Sequence, residues 1–573
     1  MNFILMRLPA FLEIIVNGFF ILIYTLKKSH RGEIFLSTFP VEPFLNLAVW
    51  FVPLILTFSL MANFLRSESV EDFIRRYVFS LIVIVPLYLT FGDIEFAYWL
   101  SAVHLFSTTI SIYEKKQQAS TETTTSSFLF QLKLQPAQVV LLSFAGWILI
   151  GALVLMLPVS ANPGKVVSFI DALFMSTSAT CVTGLATLSL ADDFSIFGQM
   201  THLILLQVGG LGIMTLSSSM ALIMGKNLQM REQVIMQDVL DASGSEELLK
   251  LIIDIIRYTF IIEFIGAMFI TIGFYNEGYE IGQSLYFGFF HAISAFCNAG
   301  LALFNNNLED FKFSPLIHLT VAFLIILGGI GFSVMQDVYL TIKQRRSFRS
   351  LTVHSKLILT INMMLLLFGT GYLFLGEFLH AFIDMGFWEK LQVSFFQSVT
   401  TRTAGYNTIN LTTLHPHCIY MMILLMFIGA SPGSTGGGIK TSTFAILIQS
   451  VTATLKGKST VSFFERTIPT MTVVKSISIT MLSLVVVSVA QLLMLRLEPD
   501  KNFLSLLFEV VSAFGTVGLS LGITPFLSLL GKFTLIVLMF IGRVGPLTLV
   551  LAVGSRAVLP SEVEYPEGKV LIG

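Results

Sequence analysis

The sequence predicts an all-α polytopic membrane protein. Four tandem units of helix, re-entrant half-helix, loop and helix are preceded by about four N-terminal helices. Three observations carry that expectation. The first is composition: of 573 residues, 54% are hydrophobic and 12% charged, with a mean hydropathy of +0.82, whereas a soluble domain carries roughly 25% charged residues. The second is a loop that recurs four times, as SATCVTGL, SAFCNAGL, VTTRTAGY and SAFGTVGL, aligned on Gly184, Gly300, Gly405 and Gly518. These glycines stand 116, 105 and 113 residues apart (300 − 184, 405 − 300, 518 − 405). The third is an alternation of long and short apolar segments around every copy, with Phe174, Phe290, Phe395 and Phe508 each ten residues before a loop glycine.

Residues 1–113 hold the candidate helices Phe11–Leu26, Phe44–Leu65, Tyr77–Phe91 and Phe96–Tyr113. The first has acidic Glu13 near its start and no small-residue cleavage site after it, so it does not read as a signal peptide. A polar linker follows over 114–134, including EKKQQASTETTTSS. The units then occupy 135–225, 226–340 (opening with a cytosolic connector), 341–455 and 456–559, with a cytosolic tail over 560–573. Their first helices, Val139–Leu157, Leu251–Phe274, Leu357–Phe378 and Val473–Leu497, have the roughly 20 apolar residues that span a bilayer. The next segments, such as Ile170–Ala179 and Leu504–Ala513, are too short to cross and suit re-entrant half-helices. The second long helices are expected at Met200–Met224, Pro315–Leu340, His417–Gly429 continued by Thr441–Ile448, and Leu529–Val553.

Charge orients these helices. Lys226 and Arg231, Lys343, Arg345, Arg346 and Arg349, Lys456, Lys458 and Arg466, and Arg556 all follow second helices. Asp192, Asp193, Glu277, Glu280, Glu309, Asp310, Glu498 and Asp500 fall on the other side. By the positive-inside rule the unit helices start and end in the cytoplasm, and the re-entrant loops open outward. The same rule places Lys27, Lys28 and Arg31 on the wrong side, leaving the topology of the first helix pair open. A formal net charge of −1 provides no basic field for nucleic acid, and three cysteines build no disulfide framework.

The loops have the chemistry of a cation filter. A dehydrating cation needs a ring of oxygens in place of its water, and backbone carbonyls provide one. Turning successive carbonyls to one side takes dihedrals that glycine tolerates. Irregular backbone at membrane depth persists only where it lines a watery path or is buried in protein. The half-helix before each loop adds the negative end of its dipole. The expected potassium-binding ring is Val182, Thr183 and Gly184; Asn298, Ala299 and Gly300; Thr403, Ala404 and Gly405; and Thr516, Val517 and Gly518. One copy alone would read as small-residue helix packing; four copies at a common offset read as one pore.

The third unit departs from the pattern. Its second helix is interrupted by Ala430–Gly438, of which five residues are glycine or proline, so helix cannot continue. A nucleotide P-loop is excluded because Ile439 intervenes before Lys440 and Thr441, and no strand precedes. Gly429, at the edge of the break, lies 24 residues past Gly405 (429 − 405), and Gly542 lies 24 past Gly518 (542 − 518), with Gly209 and Gly328 at 25 and 28. The break therefore sits below the filter and is expected to gate it through Ser431, Gly433, Gly436, Gly437 and Gly438, anchored by Arg543, a costly charge within a membrane helix. Arg402, inside the third loop, is expected to turn away and support the filter by donating to carbonyls behind it. Glu263 and Glu509 are candidate partners for these buried cations. His415 and His417 flank Pro416 at a helix end, where a capping or interfacial role outweighs zinc binding. The stretch Asn227–Lys250 reads equally as a docking helix or a plain connector.

The strings TSATCVTGL, SAFCNAGLALF, TTRTAGYNT, GASPGSTGGGIKTST and LFEVVSAFGTVGLSLGITP resemble the Trk/Ktr/HKT superfamily of potassium transporters over about Gln135–Leu559, with a core similar to the Ktr-type membrane subunit. The longer N-terminal region is closer to the Trk form. The resemblance implies membrane-pore-membrane repeats, a homodimer in the cytoplasmic membrane, and a cytosolic nucleotide-binding regulatory ring of TrkA or KtrA type. Nucleotide is thus expected on the partner only, and no cofactor in this chain. In the family, serine at the first filter position tends to accompany sodium preference; Gly184 therefore favours potassium. The resemblance also has an intramembrane loop and an arginine at the gate positions. The expected function is potassium uptake through a channel-like pore without catalytic residues, and the alternative is a sodium- or proton-coupled symporter. Because only one second helix is expected to be broken and the repeats are parallel, the channel-like reading is preferred.

Overall fold

A computed structural model describes residues 136–212 and 245–545. The expected N-terminal helices and linker, most of the connector after the first unit, and the C-terminal tail lie outside the described residues.

The first set of elements is α1 (Pro136–Leu155), α2 (Phe169–Thr180) and α3 (Ile196–Leu211). The second is α4 (Ser245–Asn276), α5 (Ile281–Phe296), α6 (Pro315–Ile330) and α7 (Phe332–Lys343). The third is α8 (Val353–Glu377), α9 (Phe387–Thr400), α10 (Pro416–Phe427) and α11 (Thr441–Leu455), and the fourth is α12 (Thr470–Leu497), α13 (Phe503–Gly515) and α14 (Leu529–Val544). Between α11 and α12 a minimal hairpin pairs β1 (Ser462–Phe463) with β2 (Arg466–Thr467). Its turn residues Phe464 and Glu465 both have positive φ, as a two-residue turn requires.

Local sequence accounts for these boundaries. Ser168, Ser195 and Ser528 each accept a backbone N–H with their side chains at the start of α2, α3 and α14, and Asn502 does so for α13. Pro315 and Pro416 occupy the first turns of α6 and α10, where no N–H is needed. The short helices α2, α5, α9 and α13 have 12, 16, 14 and 13 residues, or roughly 18–24 Å at 1.5 Å per residue, less than a hydrocarbon core of about 30 Å. Among the described residues, three helices, within α4, α8 and α12, are long and apolar enough to span a membrane, or four if α6 and α7 count as one bent span. Their outward faces are apolar: Leu367 on α8 is 66% exposed, and Leu492 on α12 is 68%. Lipid, not water, suits such a surface.

The buried core runs around the short helices. Phe174, Phe290 and Phe508 are fully enclosed, while Phe395 is half-buried and its neighbour Phe396 takes the enclosed position. One cluster joins α10, α13 and α14 to Phe174 and Leu185 of the first set, and another joins α1–α3 to Phe290 and Leu301 of the second. The arrangement thereby closes on itself, reinforced where Lys532 Nζ on α14 meets Asp171 Oδ1 on α2 at 2.7 Å.

One expectation fails. Pro315–Leu340 is not a single helix: α6 and α7 meet at a 101° bend. The cause is local and tertiary together. Gly331 has φ +101°, and a Cβ there would lie 2.5 Å from the carbonyl oxygen of Pro432, in the glycine-rich segment of the third set. The freed Phe332 N–H donates to Gly433 O at 3.0 Å. The described parts of α3 and α14 end at Gly212 and Gly545 with closely similar dihedrals, φ 79° and 91° with ψ 136° in both. Breaking of the second helices is therefore not confined to the third set.

Candidate functional site

The four loops converge. In each, the residue two before the glycine and the glycine itself both have positive φ: Val182 and Gly184, Asn298 and Gly300, Thr403 and Gly405, Thr516 and Gly518. The residue between them does not. Alternating handedness of this kind swings successive carbonyls toward one side. A Cβ built on each glycine would fall within 2.5 Å of a neighbouring loop's carbonyl oxygen, from Gly184 to Ala299, Gly300 to Ala404, Gly405 to Val517 and Gly518 to Thr183. That chain of contacts passes once through every loop and returns to its start. All twelve expected ring residues are buried and sit together here.

Serines that begin three of the loop strings hold the backbone. Ser178 Oγ accepts from Gly184 N–H at 3.0 Å and Ser512 Oγ from Gly518 N–H at 3.1 Å, while Ser294 Oγ donates to Leu301 O at 2.9 Å. The third loop has Val399 at that position. At the mouth Asn307 donates to Gly300 O at 3.3 Å and Gly405 O at 3.5 Å. The serines were visible in the repeat but had no assigned role; Asn307 carried no periodic signal.

Directly beneath lies the segment 428–440 between α10 and α11. A Cβ on Gly436 would strike Thr403 Oγ1, and one on Gly437 would strike Thr516 Oγ1, so only glycines fit under the ring. Gly437 N–H also donates to Thr516 Oγ1 at 3.1 Å. The buried Ser431 donates its N–H to Gly329 O at 3.1 Å, Gly433 O accepts from Phe332, and Gly438 N–H reaches Gly542 O at 3.4 Å. Thr435, absent from the expected set, is fully buried and donates through Oγ1 to Phe296 O and Gly328 O at 3.1 Å. Arg543 donates to Thr435 O through one guanidinium nitrogen and to Gly209 O through the other. It therefore ties the segment to the first set across the middle of the molecule. The depth glycines have a steric role: a Cβ on Gly209, Gly328 or Gly542 would collide with the carbonyl of Thr180, Phe296 or Phe514, each four residues before a loop glycine.

Arg402 does turn away from the ring, but not onto filter carbonyls. It donates to the carbonyl oxygen of Asn362 on α8 at 3.3 Å and to the Asn362 side-chain oxygen. Asn362 in turn donates to Ser431 Oγ at 3.1 Å, so α8 joins the third loop to the segment beneath it. Neither acid pairs with a buried arginine. Glu263 accepts from Gln207 at 3.2 Å, and Glu509 accepts from Ser520, Leu521 N–H and Thr524 at 2.5, 3.1 and 2.7 Å. Arg402 and Arg543 instead donate to neutral oxygens, with the buried Arg402 Nε left unpartnered, and neither positive charge meets an ion pair among the described residues. His415 stands at the N-cap position of α10 but makes no side-chain capping bond; its backbone N–H donates to Glu377 at 2.7 Å.

Four converging loops whose twelve ring residues carry no charge, inside an apolar helical shell, define a membrane transport protein whose chemistry suits a cation. The family comparison agrees: residues 148–563 match the TrkH model, described as a cation transport protein. The chain belongs to this family of Trk/Ktr transporters, which are not enzymes. It is 38% identical over 444 residues to the Ktr system potassium uptake protein B of Bacillus subtilis (strain 168), covering 77% of this chain and 98% of that protein. The protein of the same name from Vibrio alginolyticus is 38% identical, with 76% and 94% covered. The potassium/sodium uptake protein NtpJ of Enterococcus hirae is 36% identical, with 77% and 98% covered. In fold the chain is similar to the crystal structure of the potassium transporter TrkH from Vibrio parahaemolyticus, with a TM-score of 0.62, 18% identity, and 84% and 98% covered.

Proposed function

We propose that this chain takes up potassium across the cytoplasmic membrane through a channel-like pore. The four membrane-pore-membrane repeats place their glycine loops at the outer entrance. The observation that carries the reading is the closed circuit of four glycine loops, each with left-handed residues at the same two positions. In this reading the carbonyls of the ring replace the water of a dehydrated cation. The names of the related Ktr proteins select potassium as that cation. The segment 428–440 closes the path below, and Arg543 both anchors it and opposes cation passage by its charge. Arg402 supports the third loop through Asn362. A homodimer and a cytosolic nucleotide-binding ring of TrkA or KtrA type complete the assembly, and movement of the segment is the step such a ring would control.

The membrane potential is a sufficient driving force, roughly 2.3 kcal/mol per charge at 100 mV. The second reading, symport with sodium or protons, is favoured by one observation, the potassium/sodium name of the Enterococcus relative. The bend at Gly331 removes one argument against it, since a broken helix is no longer peculiar to the third repeat. The parallel order of the repeats still favours the pore, because coupled transporters usually place broken helices in inverted pairs. Potassium uptake into liposomes, driven by a fixed voltage with and without a sodium gradient, separates the two. The pore reading expects equal uptake in both; uptake that disappears without sodium would overturn it.

A further inference from the structure

The end of α8 remote from segment 428–440 carries a cluster that the ion path does not use. Glu377, the last residue of α8, is fully buried, and His380 follows in the next turn. His415 arrives from the start of α10, with its backbone N–H fixing Glu377 Oε1 at 2.7 Å. The other carboxylate oxygen, Oε2, lies 3.1 Å from His380 Nδ1 and 3.2 Å from His415 Nδ1. The two imidazole rings lie close, with centroids 3.7 Å apart and planes inclined at 44°. One ligand atom from each of the three residues fits within a 4.8 Å span.

We propose that Glu377, His380 and His415 form a binding site for a divalent transition metal of the zinc class. The donor set is two imidazole nitrogens and one carboxylate oxygen, the set that zinc takes in three-ligand sites with an open fourth position. Bonds of about 2.0–2.2 Å in a tetrahedron set ligand atoms roughly 3.3 Å apart, close to the two separations above. The His415 N–H on Oε1 orients the carboxylate and turns Oε2, which otherwise takes only a long 3.4 Å bond from Ala381 N–H, toward the two imidazoles, as outer partners of metal ligands do. The histidine side chains are 50% and 39% exposed, which leaves an entry path and room for water as fourth ligand. Because Glu377 ends α8 and His415 begins α10, a bound metal cross-links the two membrane helices of the third repeat.

The test uses the purified full-length chain in detergent, stripped with a chelator and titrated with zinc by calorimetry. One zinc per chain is expected, and cobalt in its place should give the visible absorption of a tetrahedral site. His380→Ala, which removes a half-exposed side chain, should weaken zinc binding by about tenfold or more and abolish the rise in melting temperature that zinc gives the wild type. His415→Ala should weaken it similarly. Equal zinc affinity in wild type and His380→Ala, or no saturable binding at millimolar zinc, would show that the cluster only ties two helix ends by hydrogen bonds and would overturn the proposal.

Discussion

The ring of glycine loops and the segment beneath it are built on opposite principles. The ring is made four times from nearly the same backbone, and its members carry no charge. Its fit depends on the absence of side chains at Gly184, Gly300, Gly405 and Gly518. The segment 428–440 is made once. It is held by a single guanidinium from the fourth repeat that also grips the first, and by Thr435 and Ser431 bonded to the second. In the proposed function a symmetric ring would present equal carbonyls to an ion on its axis, and a plug entering from one side would leave that symmetry intact above it. Under the proposed function, conduction falls to what the repeats share and control to what they do not.

The largest effect should come from adding one methyl to the ring. Gly184→Ala places a Cβ against Ala299 O at a φ of +95°, so rubidium uptake should fall by about 100-fold or more, equivalent to about 2.7 kcal/mol or more on the barrier. Size-exclusion chromatography checks that the variant still folds; a folded variant with normal uptake would break the assignment of conduction to the ring. Next in size, Arg543→Gln removes the charge and weakens the anchor on Thr435 O. Bonds made by charged groups contribute about 1.5–3 kcal/mol each, so basal flux without any regulatory partner should rise about tenfold. Unchanged flux in folded protein would remove the segment from the role of plug. The smallest effect sharpens the comparison within the ring. Ser512→Ala deletes the acceptor for Gly518 N–H, a loss of about 1 kcal/mol. It should lower potassium-over-sodium discrimination about fivefold in reversal-potential measurements while uptake persists, because the third loop already does without this serine.

Much of this was readable along the chain because bilayer thickness converts directly into segment length. The expected Leu357–Phe378 and Val473–Leu497 lie close to α8 and α12, and the expected Ile170–Ala179 lies within α2. The bend at Gly331 was not read, since apolar composition runs unbroken through it. A signal was nevertheless present: GGLG at 209–212, GGIG at 328–331 and GRVG at 542–545 repeat a glycine three residues on, and the third repeat has Pro432 there. Pairing of Glu263 and Glu509 with the buried arginines was the natural expectation from charge alone. The folded chain instead has neutral donors within reach of each acid, and carbonyls within reach of each arginine.

Sequence by itself determined the membrane class, the four loops, the half-length helices and the break in the third repeat. Each follows from local quantities, namely apolar length, glycine spacing and helix-breaking residues. Tertiary structure decided which groups meet: the closure of the ring from Gly518 back to Thr183, the reach of Arg543 to Gly209, the turn of Arg402 toward Asn362, and the gathering of Glu377, His380 and His415. Those pairings join residues as many as 335 positions apart (518 − 183). Their partners are set by how the helices pack around one another, and no periodicity within a single segment encodes that.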